Sequence, residues 1–352
     1  MANKRDRVID ILRGLAVVCM VLANFSSYVI DNPHFGLRFI YSIVAPIFIL
    51  LSNFTIAYNY YIKKYNYSYY LKRGLYLIFW GVFIDTIVHR NFPFASSDVL
   101  YLIGFSIILN SLFFKINSFV ILIIANIVFV LTYYFQSILG YIDIPKEASL
   151  FNFEEFKEVL FNYSIKQFFI DGWFPVFPFE GIALIGLFYF WLYKNKKNIF
   201  LNKYFIFINF IVFVILSFIL YKISGSLYIR EASGKLFYPP TLVFIYWSLS
   251  FINLLFSFLI FLSNKNVDNY LFHILAVLGR NLLFIYIVNS IFGEYVVKNL
   301  MNLYKLPSNY FVLFSFWIIF VIGMFIFLEY KRMIVFLEYK NKLIIRQKFN
   351  KV

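Results

Sequence analysis

Long stretches of almost wholly apolar residues are the feature that most constrains what this chain can fold into. A helix needs about 20 apolar residues to cross the hydrocarbon core of a bilayer, and the sequence offers about ten such stretches. They are long and continuous rather than short and alternating, which favours helices over a membrane β-barrel. We therefore predict an all-α, polytopic bundle of transmembrane helices. The predicted spans are Ile9–Ile30, Phe39–Tyr58, Gly74–Val88, Val99–Phe114, Asn117–Leu139, Trp173–Tyr193, Phe200–Leu220, Leu242–Leu262, Leu282–Val297 and Tyr310–Leu328.

The charges between these spans predict the orientation of the chain. Segments on the same side as the N-terminus carry 20 Lys and Arg residues, and the opposite loops carry nine. Because basic residues collect on the cytoplasmic side, both termini are predicted to be cytoplasmic. Residues 1–330 then form a transmembrane domain and residues 331–352 a basic cytoplasmic tail. Topology and anionic lipid account for the net charge of +15, so it does not predict a nucleic-acid partner.

The first span is unusually polar for an intramembrane segment. Asp10, Arg13 and Gly14 lie at its start and Asn24 lies further along it. A charged group deep in a bilayer costs about 2.5–3.5 kcal/mol on insertion scales, so such residues are candidates for function. Asp10 and Arg13 are three residues apart and can pair on one helix face, although a snorkelling arginine with a neutralising partner is an equally good interpretation. Gly14 permits close approach of a neighbouring helix.

Asn24 and His34 form a second group toward the predicted outer side. Pro33 and Gly36 interrupt the helix after the first span, which would let the chain fold back and bring the imidazole near Asn24. A neutral imidazole is the usual general base near neutral pH, and an amide can stabilise an oxyanion. The alternatives are an Asn that joins two helices and a solvated loop His.

Two further polar residues are weaker candidates. His89 lies at the exit of the third span, on the same predicted side as His34. Glu180 lies near the start of the sixth span, where a carboxylate is either paired, protonated or still at the wet interface.

The sequence excludes several classes of site. Its three histidines fall on both predicted sides and its single cysteine is Cys19, so no metal site is predicted. It has neither a Gly-rich phosphate loop nor a GxSxG motif. The long loop 141–172 is acidic, and its middle, Ser149–Tyr163, has the spacing of an amphipathic helix that serves either as an interfacial connector or as a lid.

Scattered motifs give the chain a resemblance to a known family. The first runs from Asp10-Ile-Leu-Arg13-Gly14 to Met20-Val-Leu-Ala-Asn24 and resembles the opening of the heparan-α-glucosaminide N-acetyltransferase family of multi-span membrane acyltransferases. Later blocks fit the same order: Leu71-Lys-Arg73-Gly74, Val99-Leu-Tyr-Leu-Ile-Gly104, Asp171-Gly-Trp-Phe-Pro175 leading to Glu180-Gly181, and Leu278-Gly279-Arg280-Asn281. The chain departs from the pattern at Tyr41 or Ser42, where an acidic residue is usual, and at Asn289, where related enzymes often have His.

The resemblance implies transfer of an acetyl or short acyl group from acetyl-CoA to a sugar amine or hydroxyl of a cell-surface glycan, in the bacterial cytoplasmic membrane. It carries the catalytic roles to Asn24 and His34. Guanidinium groups suit phosphates, so we expect Arg13, Arg73 and Arg280 to bind CoA, although the positive-inside bias also explains them. The alternatives are a transporter or flippase of a lipid-linked glycan and a scaffold without chemistry. A homodimer is compatible with the sequence.

Overall fold

The computed structural model describes residues 6–31, 33–95, 97–142, 145–223, 240–265 and 269–349, with side chains up to residue 334 apart from 223. Within these ranges the chain is all-α, as predicted. Five basic residues that we counted for the orientation lie outside the described residues: Lys4, Arg5, Arg230, Lys235 and Lys351. The α-helices are α1 Arg7–Val29, α2 Phe35–Ser42, α3 Val44–Tyr61, α4 Tyr67–Phe83, α5 Val99–Asn110, α6 Ser118–Leu139, α7 Phe153–Asn162, α8 Ser164–Lys166, α9 Val176–Asn195, α10 Lys203–Ile223, α11 Leu242–Asn264, α12 Tyr270–Arg280, α13 Leu282–Phe292, α14 Lys298–Tyr304 and α15 Tyr310–Phe349.

Among the described residues, seven helices are long and apolar enough to cross a membrane. An eighth span is formed if Tyr270–Arg280 and Leu282–Tyr304, which meet at a bend of 81°, cross together. Every predicted span contains a helix, but the third and fourth fall on α4 and on the shorter apolar helix Val99–Phe113. The number of ten spans and the orientation of the termini therefore stay predictions.

Side chains that cap the first turn fix where several helices begin. Asp6 accepts a hydrogen bond from the backbone N–H of Val8 at 3.0 Å, and Asp98 accepts one from Leu100 at 2.9 Å. These caps satisfy N–H groups that have no partner inside the helix. α1 ends before Pro33, and α2 begins at Phe35 and continues with only a small break into α3, so that Phe35–Tyr61 forms one span.

Three helices form the centre of the bundle. In the most apolar 18-residue stretch of α9, 83% of the residues are buried. The corresponding shares are 72% in α1 and 78% in Phe35–Tyr61, which is α2 with α3. By contrast, only 6% of the residues in the corresponding stretch of α10 are buried, and its large apolar side chains face outward. This pattern is expected when lipid rather than water surrounds the bundle, because outward-facing apolar side chains then cost nothing.

The crossing of α1 and α12 depends on two glycines. A β-carbon on Gly14 would lie 1.8 Å from the carbonyl oxygen of Leu275, and one on Gly279 would lie 2.0 Å from that of Asp10. Both backbones therefore meet without intervening side chains, which confirms the close approach predicted at Gly14. The contact also fixes Arg280, at the end of α12, beside the first turns of α1.

Candidate functional site

Two large cavities lie along the same helices. The first, of about 490 Å³, is called the basic cavity because four of its six charged lining residues are basic: Asp6, Asp10, Arg13, Lys63, Arg73 and Arg280. The second, of about 530 Å³, is called the acidic cavity because its lining holds Asp85, Asp98, Glu147 and Glu294, with Lys298 and His89. Residues of α1, α3, α5 and α13 line both, and the ring of Phe48 borders both. Phe48 is thus common to the linings of two cavities of opposite charge.

Asp10 organises the basic cavity. Its carboxylate is 1% exposed, accepts a hydrogen bond from Arg280 Nε at 2.8 Å and lies 3.7 Å from Arg13 Nη1. Arg13 also donates to the hydroxyl of Thr55. The pairing of Asp10 with Arg13 confirms the sequence prediction, and Arg280 is a partner that helical spacing does not reveal.

Arg73 occupies a different position in the same cavity. It is exposed, and its guanidinium lies 5.7 Å from the centre of the Tyr76 ring. The three arginines that we expected to bind CoA therefore line one cavity, together with Lys63. Their role in binding phosphates stays a prediction.

Two π-helical segments place the titratable groups of the acidic cavity. Ile84–His89 continues α4 and carries both Asp85 and His89, and Gly293–Val297 carries Glu294. Such local widenings of a helix occur frequently at functional sites because they redirect side chains. Here they place Asp85, His89 and Glu294 in the lining of the cavity, with Asp85 buried and His89 exposed.

Tyrosine hydroxyls hold the carboxylates of this cavity. Tyr101 donates to Asp85 at 2.6 Å, and Tyr286 donates to Asp98 at 2.9 Å. Each carboxylate keeps further lone pairs that can accept hydrogen bonds from a bound molecule. The cavity is therefore an acceptor-rich surface with fixed geometry.

The loop before α7 reaches the acidic cavity. Glu147 accepts hydrogen bonds from Trp173 Nε1 at 2.9 Å and from Asn91 Nδ2 at 3.0 Å, and all three residues line the cavity. α7, at Phe153–Asn162, forms within the predicted amphipathic segment, with Phe161 80% exposed and Val159 buried. Of the two interpretations of this loop, these contacts favour a cover over the cavity.

Of the two residues that the resemblance marks as catalytic, one lines a cavity and the other does not. Asn24 lines the acidic cavity together with His89. His34 is exposed at the start of α2, where its backbone N–H donates to the Tyr310 hydroxyl at 2.9 Å, and it is not among the described residues that line either cavity. The catalytic roles of all three residues stay predictions.

Glu180 lies outside both cavities, in a polar cluster inside the bundle. It is 4% exposed, and the Ser106 hydroxyl donates to its Oε2 atom. Asn110 Nδ2 donates to Asn53 Oδ1 at 3.0 Å. Glu180 Oε1 and Asn110 Oδ1 have no hydrogen-bond partner among the described residues. No ion pair within the described part of the chain involves Glu180.

Since Glu180 has no basic partner there, we expect a neutral side chain to replace it. Glu180→Gln supplies a donor and an acceptor and should keep the free energy of unfolding in detergent within about 1 kcal/mol, whereas Glu180→Leu strands the Ser106 hydroxyl and should cost about 1–3 kcal/mol. Thermal unfolding of the purified protein measures both. The exposed Glu158→Leu is the control and should change stability by less than about 0.5 kcal/mol. Equal losses of stability in the Gln and Leu variants would contradict the expectation that an uncharged hydrogen-bonding side chain can replace Glu180.

Several residues of the acidic cavity received no role from the sequence, among them Tyr286, Asn289 and Glu294. All three fall inside the predicted ninth span, which is otherwise apolar. The argument that singled out the first span, namely the cost of polar groups in a bilayer, applies to them equally. That signal was available in the sequence.

A family model described as heparan-alpha-glucosaminide N-acetyltransferase, catalytic, matches residues 5–221. The matched region includes Asn24, His34, Arg73, His89 and Glu180. It ends before α11, so Arg280 and Asn289 fall outside it. No curated protein matches the chain.

Proposed function

The chain belongs to the heparan-alpha-glucosaminide N-acetyltransferase catalytic family, and we propose that it moves an acetyl or short acyl group from acyl-CoA to a sugar hydroxyl or amine of a cell-surface glycan. One observation carries the proposal beyond the family match. Two cavities of opposite charge lie along the same four helices and share Phe48 in their linings. That arrangement suits a polyanionic donor at one end and a hydroxyl- or ammonium-bearing acceptor at the other.

The basic cavity is proposed to hold the donor. Arg280 donates to Asp10 through Nε, one of the five N–H donors of its guanidinium, and Arg13, Arg73 and Lys63 add positive charge to the same lining. These groups would bind the phosphates of CoA. Arg13 and Asn24 lie on one helix, about 16 Å apart along its axis. The thioester end of the donor would cover that distance past Phe48.

The acidic cavity is proposed to hold the acceptor. Its carboxylates accept hydrogen bonds from sugar hydroxyls and attract an ammonium group. Trp173 and Tyr286 add aromatic surface with polar edges, which suits a ligand that is apolar on one face and polar at its rim. The Glu147 contacts with Trp173 and Asn91 would keep this end covered during the reaction.

The proposed chemistry is general-base acyl transfer. An imidazole removes the proton from the acceptor hydroxyl or amine, whose lone pair attacks the thioester carbonyl. The carbon–sulfur bond then breaks, the imidazolium returns the proton to the sulfur so that CoA leaves as its thiol, and the new ester or amide remains on the sugar. Asn24 would stabilise the oxyanion. His34 is the base that the resemblance implies, and His89 is the imidazole that shares a cavity with Asn24.

Sealed membrane vesicles test this proposal. Radiolabelled acetyl-CoA is added outside inside-out vesicles that enclose glucosamine or polysaccharide from the source cells. We expect label on the enclosed acceptor, and much less label when right-side-out vesicles present the donor to the other face. Permeabilisation serves as the control, because it should make the amount of label transferred equal for the two vesicle orientations.

If neither glucosamine nor the polysaccharide is labelled, in intact and in permeabilised vesicles, the result would contradict acyl transfer. Movement of a labelled lipid-linked glycan between leaflets without acyl-CoA would instead favour the transporter.

A further inference from the structure

One side chain of the acidic cavity has no use in the chemistry above. Asn289, on α13, lines the cavity and is 0% exposed. Neither its Oδ1 nor its Nδ2 atom has a hydrogen-bond partner. A buried amide with both groups unsatisfied is unfavourable, and native proteins keep such groups mainly where a ligand or a functional role requires them.

The neighbours of Asn289 on the same helix do not share this condition. The Tyr286 hydroxyl donates to Asp98 at 2.9 Å, and the Ser290 hydroxyl donates to the backbone carbonyl of Tyr286 at 3.1 Å. Across the part of the chain that the structure describes, Asn289 is the only side-chain amide with both polar atoms buried and unpartnered. The free hydrogen-bonding capacity is therefore specific to this position.

The position of Asn289 limits which molecules can form hydrogen bonds with its side-chain amide. α13 passes from the basic cavity, which Phe284 lines, to the acidic cavity, which Tyr286 and Asn289 line. Phe48 borders both cavities. A molecule that extends from one cavity into the other therefore passes along this helix before it reaches the carboxylates.

We propose that Asn289 is a positioning residue that binds an amide group of a substrate, donating from Nδ2 to a carbonyl oxygen and accepting an N–H at Oδ1. This inference rests on the proposed function. The donor is one source of such groups, because the arm that carries the thioester of acyl-CoA has two successive amides. An acetamido sugar in the glycan is the other source.

Substitution of Asn289 by Leu tests the assignment, because Leu has a similar shape and removes both hydrogen-bonding groups. With acetyl-CoA we expect KM to rise about tenfold, the equivalent of one or two hydrogen bonds, and kcat to change less than threefold. Asn299→Leu, at an exposed Asn on α14 that lines neither cavity, is the matched control and should leave KM unchanged.

Truncated substrates identify the source of the amide. With an S-acetyl alkanethiol that lacks amides, wild type and Asn289→Leu should transfer equally well if the donor arm is the ligand. If the acetamido group is the ligand, the loss persists with this donor and disappears when glucosamine replaces an acetamido-bearing acceptor. A variant that matches wild type with every pair of substrates would overturn the proposal.

A binding and stability measurement needs no chemistry and separates this inference from the proposed function. Leu in place of an unpaired amide should raise the Tm of the free protein, so a folding defect is not expected. Acetyl-CoA should raise the Tm of wild type more than that of Asn289→Leu if the arm binds there. Wild-type protein that binds acetyl-CoA but transfers nothing would count against the proposed function alone. An equal shift in both proteins would count against the donor arm as the ligand of Asn289.

Discussion

Replacing His89 with Ala is expected to lower the rate of acetyl transfer by about 10²–10⁴-fold, the usual contribution of a general base. The reason is geometric, since His89 lines the same cavity as Asn24 and is placed there by the π-helical segment Ile84–His89. His34→Ala is expected to lower the rate only a few-fold, because His34 lines neither cavity, although both imidazoles are exposed. Single-turnover transfer from radiolabelled acetyl-CoA in purified membranes measures both rates.

The third histidine provides a matched control. His273 Nε2 lies 3.0 Å from Glu329 on α15, and His273 lines neither cavity, so His273→Ala should transfer at nearly the wild-type rate. A large loss in His34→Ala with near-normal transfer in His89→Ala would reverse our assignment. In that case His34 would be the general base, as the resemblance implies.

Local features of the fold follow directly from the sequence. Apolar length predicted helices at all ten positions, and the i,i+3 spacing predicted the contact of Asp10 with Arg13. Gly14 indicated a close helix crossing because only a missing side chain permits one. Each of these features is recognisable from residues of a single helix, which is the range that periodicity and spacing report. The partner of Gly14 across the crossing, Leu275, is not.

Non-local contacts within the candidate site could not be predicted in the same way. Arg280 is 270 residues from Asp10, and Glu180 is 74 residues from Ser106. Which polar groups meet inside a bundle depends on how each helix is rotated and shifted, and many rotations bury similar apolar area. Pro33 correctly marked the end of α1, yet the direction of the chain after it, with His34 at the start of α2, depends on packing against Tyr310.

Removing the carboxylate of Asp10 is expected to lower the free energy of unfolding by about 3 kcal/mol. Breaking a buried ion pair by loss of one partner typically costs about 3–5 kcal/mol, and the lower value applies because Arg280 is 36% exposed and keeps some water. Thermal or denaturant unfolding in detergent of Asp10→Ala measures the loss. Glu154→Ala is the control, since its pair with Lys157 lies at the surface and should contribute less than about 1 kcal/mol.

A double-mutant cycle shows whether that loss belongs to the pair. If Asp10 and Arg280 interact as the 2.8 Å contact indicates, Asp10→Ala with Arg280→Ala should be less destabilised than the sum of the single variants, by at least about 1 kcal/mol. Additive effects would mean that the two side chains act independently. Arg13 would then be the main partner of Asp10, and Arg280 would be free to bind phosphate without loss of stability. The same cycle therefore decides whether one arginine of the basic cavity serves the fold, the donor or both.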